Sequence, residues 1–330
     1  MRIIELAGIG PVPFAGMMLA DHGAEVIRVE RPDAKPDPGD PLLRSRVPII
    51  LDLKSAEGVA ELRALCKSAD GLIEGFRPGV MERLGLGPDI LLGDNPKLVY
   101  GRMTGWGQDG PLAQKAGHDI NFIAVSGTLG ALGRAGDKPT PPINLVGDFG
   151  GGGMLLAFGM VAALLAVKAG GQGRIVDCAM TDGSALLMAM MWGFRAQGRW
   201  TDERGTNVID TGAPFYDTYE TADCLFVAVG AIEPQFYAEL RRVLGIADDP
   251  RFDAQFEPAQ WPAQKVELAR LFKARTRAEW CDLFEQAEAC VTPVLSMAEA
   301  LEHPHNLARQ TFVTVDRVSQ PAPAPRFSPL

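Results

Sequence analysis

The first hundred residues of the chain alternate between short apolar runs and helical patterns. The predicted strands are RIIEL, AEVIRVE, PIILDL, GLIEGF and KLVYGRM, and the predicted helices include FAGMMLADHG and SAEGVAELRALCKSA, the second capped by Ser55. Parallel strands need long crossover connections, so this alternation predicts an α/β fold with a doubly wound parallel sheet. Such sheets bind their ligands at the carboxyl ends of the strands.

One stretch near the start has some features of a dinucleotide-binding loop. GIGPVPFAG follows the first predicted strand, but its G-x-G is followed by Pro-Val-Pro and lacks the third glycine of the fingerprint. We therefore predict no dinucleotide site there.

Charge limits the partners that the chain can have. The 330 residues carry a net charge of -9, which argues against nucleic-acid binding. Ten basic residues nonetheless fall in one early stretch, and they fit either an anionic ligand or a solvated surface balanced by neighbouring acids. They are Arg28, Arg31, Lys35, Arg44, Arg46, Lys54, Arg63, Lys67, Arg77 and Arg83.

Cysteine usage and hydropathy predict a cytoplasmic protein. The five cysteines are widely spaced and lack a C-x-x-C pair, which is typical of reduced thiols and predicts no zinc site. Charged residues near the start argue against a signal peptide. The longest apolar run, residues 154–167, is too short to cross a bilayer, so a buried helix and no membrane partner are expected.

Three polar residues lie where predicted helices begin. They are His118 in AGHDIN, Asp148 in NLVGDFGGGG and Glu233 in GAIEPQFY, and for each of them helix capping competes with a functional role. The four glycines after Asp148 each cost a helix about 1 kcal/mol, so we expect them to let a ligand approach the backbone. His303 and His305 are separated by a proline, which predicts a helix start and no metal site.

Taken together, several motifs identify a family. They are ELAGIGPVPFAGMMLADHGAEVIRVERP, LDLKSAEG, EGFRPGVMERLGLG, RMTGWGQDGP, AGHDINF, PPINLVGDFGGGG, DTYETAD and VAVGAIEPQFY. In this order, and over nearly the whole chain, they resemble the family III coenzyme A transferases of the CaiB/BaiF type. Within that group they are most similar to the bacterial α-methylacyl-CoA racemases.

The resemblance implies both an architecture and a reaction. It implies a large Rossmann-like CoA-binding domain from residues 1–198 and 300–330, a smaller α+β domain from residues 208–295, and a connector at 199–207. It further implies an interlocked homodimer whose active sites lie between the large domain of one subunit and the small domain of the other. The implied reaction is inversion at C2 of 2-methylacyl-CoA thioesters in lipid metabolism, without metal, pyridoxal or flavin, with CoA as part of the substrate.

The same resemblance assigns roles to individual residues. It implies that His118 and Asp148 are the two acid/base groups and that Glu233 orients His118. Backbone N–H groups at positions 118 and 119 are expected to stabilise an enolate. The implied CoA site comprises Arg31, Leu51, Asp52, Leu53, Lys54, Gly75, Phe76, Arg77, Arg83, Gly117, Asp119, Ile120, Asn121 and Phe122.

Two other functions remain open from the sequence. The first is an acyl-CoA:carboxylate CoA-transferase, in which Asp148 would be the nucleophile that forms an acyl anhydride and then an aspartyl thioester. The pair His118 and Glu233 favours the racemase, because a transferase needs no second base. The second is a non-catalytic CoA-binding protein, against which the presence of all three polar residues in their motifs argues.

Overall fold

The computed structural model describes residues 1–37 and 39–328, which form two compact units. Unit 1 comprises Met1–Thr128, Pro141–Ala189 and Ala308–Leu330, and unit 2 comprises Leu129–Thr140 and Met190–Leu307. These bounds differ from the expected domains. Unit 2 includes the segment 129–140 and also takes in residues 190–198 and 300–307.

Unit 1 is built around a six-stranded sheet in which every neighbouring pair is parallel. The strand order 3-2-1-4-5-6 is that of a doubly wound dinucleotide-binding fold, so the predicted fold class is confirmed. The strands are β1 (Arg2–Leu6), β2 (Glu25–Glu30), β3 (Arg46–Ile50), β4 (Gly71–Glu74), β5 (Val99–Thr104) and β6 (Arg174–Ala179).

Helices cover both faces of this sheet. The unit contains α1 (Pro11–Asp21), α2 (Ala56–Ser68), α3 (Val80–Arg83), α4 (Pro88–Asp94), α5 (Asp119–Val125), α6 (Thr128–Ala131, which reaches into unit 2), α7 (Leu155–Lys168) and α8 (Met180–Leu187). Successive strand residues point to opposite faces, so Ile3 packs with α1 and α7 while Ile4 packs with α2, α3 and α4. Ser55 caps α2 as predicted, accepting the Gly58 N–H at 3.0 Å.

The glycine-rich stretch is helical, which the sequence did not predict. Leu145–Met154 forms a π-helix that continues into α7, giving one apolar helix of 24 residues, Leu145–Lys168. By length and composition this helix could cross a bilayer, so the argument from the shorter run 154–167 no longer holds. Its buried face, with Leu156, Met160 and Leu164 in the core, is typical of a core helix.

Unit 1 also contains a hairpin of β10 (Phe312–Val315) and β11 (Val318–Pro321). Unit 2 has its own core of aromatic and aliphatic side chains, packed on an antiparallel sheet of β7 (Tyr216–Glu220), β8 (Phe226–Gly230) and β9 (Val291–Pro293). Its helices are α9 (Ala189–Ala196), α10 (Pro234–Val243), α11 (Trp261–Phe272), α12 (Arg277–Phe284), α13 (Met297–Glu302) and α14 (Pro304–Arg309). Short 3-10 turns lie at Pro41–Leu43, Pro250–Phe252 and Pro258–Gln260.

Candidate active site

The predicted CoA-binding cations lie beyond the carboxyl ends of β2, β3 and β4. Arg31 follows β2, Lys54 lies four residues after β3, and Arg77 follows β4. Arg83 ends α3, and its guanidinium lies close to Gly79, where an added Cβ would be 3.2 Å from Nη1. Because the strands are parallel, their carboxyl ends lie at the same end of the sheet, and cations that are separate in sequence are brought to that end.

The early basic stretch divides into structural and exposed residues. Arg28 and Arg46 both pair with Glu5, which is fully buried, so these two cations serve the interior of the fold. Arg44 pairs with Asp21, and Arg63 pairs with Asp94 at 2.8 Å. Arg31, Lys54, Arg77 and Arg83 are instead exposed, and within the described residues only Arg31 among them forms an ion pair, with Asp33 at 3.8 Å.

The loop after β4 is held by a buried carboxylate. Glu74 accepts the Phe76 N–H at 2.7 Å and a bond from Arg102 at 3.2 Å. Burial raises the pKa of Glu74 to about 7, and the Phe76 N–H and Arg102 oppose that shift. Glu74 therefore holds the backbone at the start of the segment 75–77, and the side chain of Arg77 in that segment is exposed.

The loop after β3 is also well defined. Asp52 accepts the Lys54 N–H on Oδ1 at 3.0 Å, while its carbonyl accepts the Ser55 N–H at 3.0 Å and the Ser55 hydroxyl at 2.8 Å. Asp52 and Lys54 are exposed and Leu53 is half-buried, so their side chains are accessible to a ligand. Leu51 is 6% exposed and belongs to the core below α2.

Two other predicted CoA-site residues have buried side chains. Phe122 packs edge-on against Trp106, with ring centroids 4.8 Å apart, and an added Cβ at Gly117 would lie 2.7 Å from its ring. Asp119 is 6% exposed. Ile120 and Asn121 are exposed and Gly117 is half-buried. The side chains of Asp119 and Phe122 are thus buried, whereas those of Ile120 and Asn121 beside them face solvent.

Asp148 lies within the first turn of the π-helix rather than at a helix N-cap as predicted. The reason is that helical structure begins at Leu145, so Asn144 takes the capping position. The Asp148 N–H donates to Asp119 Oδ1 at 2.7 Å, and Asn144 Nδ2 donates to Asp148 Oδ2 at 3.1 Å. Burial raises the pKa of the Asp148 carboxyl, the negative charge of Asp119 adds to the rise, and Asn144 and His118 oppose it.

The glycines after Asp148 serve helix packing, where an open ligand-binding backbone had been expected. Gly151, Gly152 and Gly153 are buried. An added Cβ at Gly151 would lie 2.6 Å from the Ser184 backbone N in α8, and one at Gly153 would lie 2.7 Å from the Pro11 carbonyl O in α1. The glycines therefore let the π-helix approach two neighbouring helices closely, and this approach fixes the position of Asp148.

Sequence reasoning missed two residues that contact the Asp148 carboxylate. One is Asn144, whose position four residues earlier is a helical spacing. The other is Gly10, in the loop after β1, where φ is 67° and an added Cβ would lie 3.2 Å from Asp148 Oδ2. The available signal was GIGP, whose second glycine precedes a proline-started helix.

His118 is exposed and occupies the N-cap of α5. Its backbone N–H donates to Asn121 Oδ1 at 3.1 Å, and its carbonyl accepts the Asn121 N–H at 2.8 Å. No hydrogen bond joins the imidazole to another residue within 1–37 and 39–328. The capping is therefore done by the backbone of His118, and the ring remains available for chemistry.

Glu233 belongs to unit 2, where it is the N-cap of α10. Its side chain is exposed and makes no capping hydrogen bond. The Glu233 carboxylate therefore does not act as a helix cap, which was the alternative to a functional role.

Comparison with known proteins places this chain in a family. The family model described as CoA-transferase family III matches residues 1–329. The chain belongs to CoA-transferase family III.

Among family III proteins, alpha-methylacyl-CoA racemase from Mus musculus is 48% identical over 329 residues, which cover 99% of this chain and 86% of that protein. Alpha-methylacyl-CoA racemase from Homo sapiens is 46% identical, with 98% of this chain and 85% of that protein covered. A solved CAIB/BAIF family protein from Brucella suis matches with a TM-score of 0.83 at 24% identity, covering 99% of this chain and 92% of that one. The structural match supports the fold.

Proposed function

We propose that this family III protein is an α-methylacyl-CoA racemase that inverts C2 of 2-methylacyl-CoA thioesters. Its similarity to two curated racemases along almost the whole chain supports this activity. The structural observation on which the proposal rests is a hydrogen bond between the segments of His118 and Asp148. The side chain of Asp119, the residue after His118, accepts a hydrogen bond from the backbone N–H of Asp148 at 2.7 Å, so the segments that carry the imidazole and the carboxylate are joined directly.

The proposed chemistry is proton transfer through an enolate. One base removes the α-proton from one face of C2, and the conjugate acid of the other delivers a proton to the opposite face. A thioester α-proton is roughly a dozen pKa units less acidic than imidazolium, a gap of about 17 kcal/mol. Bases alone do not close this gap, so N–H donors must stabilise the enolate oxygen. We propose the backbone near His118 and Asp119 as their source.

A general base must reach the proton and be sufficiently basic, and Asp148 meets the second condition through its surroundings. Burial raises the pKa of this carboxyl above its usual range, and the neighbouring charge of Asp119 adds to the rise. An ordinary exposed aspartate would be a weaker base.

Glu233 is proposed to orient the His118 imidazole in the assembled enzyme, by accepting its ring N–H. The motif IEPQFY is the basis of this role. A carboxylate in that position fixes the tautomer of a histidine and raises its basicity.

The early cations are proposed to bind the phosphates and adenine of CoA. Arg83→Ala should raise KM by about 10- to 100-fold, because a hydrogen bond to a charged group contributes about 1.5–3 kcal/mol. The fall in kcat should be smaller, since phosphate contacts persist unchanged through the reaction. Steady-state kinetics measures both constants. Arg63→Ala is the matched control, because Arg63 is held by Asp94. An unchanged KM in Arg83→Ala would remove this residue from the site.

Gly10→Ala should lower kcat by tenfold or more, because the new Cβ would press on the Asp148 carboxylate. Gly23→Ala is the control, since Gly23 also has a positive φ (93°) but has no atom within 4 Å of an added Cβ. Both variants force an alanine into a positive φ, so urea denaturation of each variant is needed to separate this backbone cost from the effect of the contact with Asp148. Equal activity of the two variants would contradict the assigned position of the carboxylate.

A homodimer is proposed as the active form. The family resemblance is the first reason, and the exposed apolar side chains of Phe158, Val161 and Leu165 on α7 are the second. A patch of this kind is typical of a protein interface. Sedimentation equilibrium should give a dimer, and Phe158→Glu should dissociate it. A stable, active monomer of the unaltered chain would refute the proposal.

The experiment that tests the activity uses D2O. The enzyme should convert either enantiomer of a 2-methylacyl-CoA to a racemic mixture and introduce deuterium at C2, as followed by NMR. A CoA-transferase would move CoA to a free carboxylate and leave the α-proton in place. That second outcome would overturn the proposal and support Asp148 as a nucleophile.

A further inference from the structure

Asp119 is a buried carboxylate with an incomplete set of partners. It is 6% exposed, and its Oδ1 accepts the Asp148 N–H at 2.7 Å. Its Oδ2 is buried without a hydrogen-bond partner among the residues that the structure describes. A buried, half-paired carboxylate is costly for a fold, so its presence needs an explanation beyond packing.

The surroundings of Asp119 are shaped to keep this contact. Gly147 lies directly before Asp148, and an added Cβ there would be 2.4 Å from Asp119 Oδ1. Only a residue without a side chain leaves room for the carboxylate at this point. The hydrogen bond also links two elements, because Asp119 is the first residue of α5 and Asp148 lies in the π-helix.

We propose that Asp119 is a positioning residue for the reaction, which holds the backbone of Asp148 in register with the helix that carries His118. This inference rests on the proposed function, in which His118 and Asp148 act on opposite faces of C2. Because Asp119 follows His118 directly, one carboxylate fixes the spacing between the two bases. A displacement of about 1 Å at a reacting group is enough to cost a large factor in rate.

This arrangement predicts an asymmetric defect. Removal of Asp119 releases the backbone of Asp148, whereas His118 keeps its own backbone bonds to Asn121. Exchange of the α-proton through Asp148 should therefore fall, and exchange through His118 should persist. A residue that acts only on general stability would reduce both exchanges together.

The test measures α-proton exchange in D2O for each enantiomer separately. His118→Ala first identifies the enantiomer whose proton Asp148 removes. Asp119→Ala should then slow exchange of that enantiomer by tenfold or more, slow inversion in proportion, and leave exchange of the other enantiomer within about threefold of the unaltered enzyme. KM should change little, because the Asp119 side chain is buried and the exposed cations proposed to bind CoA are unaltered.

Two further variants keep the test independent of folding. Asp119→Asn retains an oxygen acceptor for the Asp148 N–H, so it should restore most of the lost exchange. Gly147→Ala should displace the Asp119 carboxylate, because its added Cβ would lie 2.4 Å from Oδ1, and should reproduce the one-sided defect. The matched control is Asp70→Ala at the amino end of β4, because the Asp70 carboxylate likewise accepts a backbone N–H, that of Arg2, at 2.8 Å. It should leave both exchanges unchanged.

The outcomes separate this inference from the proposed function. If the unaltered enzyme shows no exchange at all, the racemase proposal fails. If exchange occurs and the His118→Ala result is one-sided, but Asp119→Ala and Gly147→Ala lose both exchanges equally or lose neither, the positioning role is wrong and the racemase proposal survives.

Discussion

His118→Ala is expected to lower the rate of inversion of a 2-methylacyl-CoA by about 10²–10⁴-fold, because loss of a positioned acid or base typically costs this much. The remaining base, Asp148, should still exchange the α-proton of one enantiomer with solvent, and configuration should be retained. Asp148→Ala should show the same loss of inversion with the opposite preference. NMR in D2O together with chiral analysis of the product measures both quantities.

The controls for this pair are chosen from the same chain. His305→Ala removes another exposed histidine, on α14, and should leave inversion and exchange unchanged. Asp148→Asn keeps the shape of the side chain but removes the base, so it should resemble Asp148→Ala. If Asp148→Ala abolishes transfer of CoA between acids while His118→Ala is mild and C2 gains no deuterium, the two-base mechanism is wrong.

The fold was predictable because the sheet has two buried faces. In β1, Ile3 and Ile4 are both fully buried on opposite sides, which is why the strand does not alternate between apolar and polar residues at these positions. Such strands, joined by connections of ten or more residues, leave few alternatives to a parallel sheet. Arg31, Lys54 and Arg77 follow the carboxyl ends of three of these strands, so the position of the candidate CoA site was predictable from the topology.

The surroundings of Asp148 were not predictable in the same way. Local propensity argues that four glycines break a helix, whereas the structure keeps them helical because tertiary contacts with α1 and α8 require residues without side chains. The contacts of Asp148 with Asp119 and Gly10 join segments far apart in the sequence, and no spacing rule connects them. The early basic stretch was ambiguous for a similar reason, since the partner that removes Arg28 and Arg46 from the surface is a glutamate on another strand.

The second large effect is expected at Gly183 in α8. An added Cβ there would lie 1.8 Å from the carbonyl O of Gly151, a backbone atom of the π-helix that has little freedom to move. Alanine is favoured over glycine in a helix by about 1 kcal/mol, but overpacking costs typically 1–3 kcal/mol and occasionally more. Since the clash involves two backbones, the packing term should dominate.

Gly183→Ala should therefore lower the free energy of unfolding by roughly 1–3 kcal/mol, as measured by urea denaturation. It should also lower inversion, because a π-helix displaced at Gly151 moves Asp148 three residues before it. Gly93→Ala in α4 is the matched control, since no atom lies within 4 Å of its added Cβ. At Gly93 only the preference of a helix for alanine over glycine, about 1 kcal/mol, changes the free energy of unfolding. Gly93→Ala should therefore be as stable as the unaltered protein or more stable. Equal stability of the two variants would mean that the helices do not meet as closely at Gly183 as described.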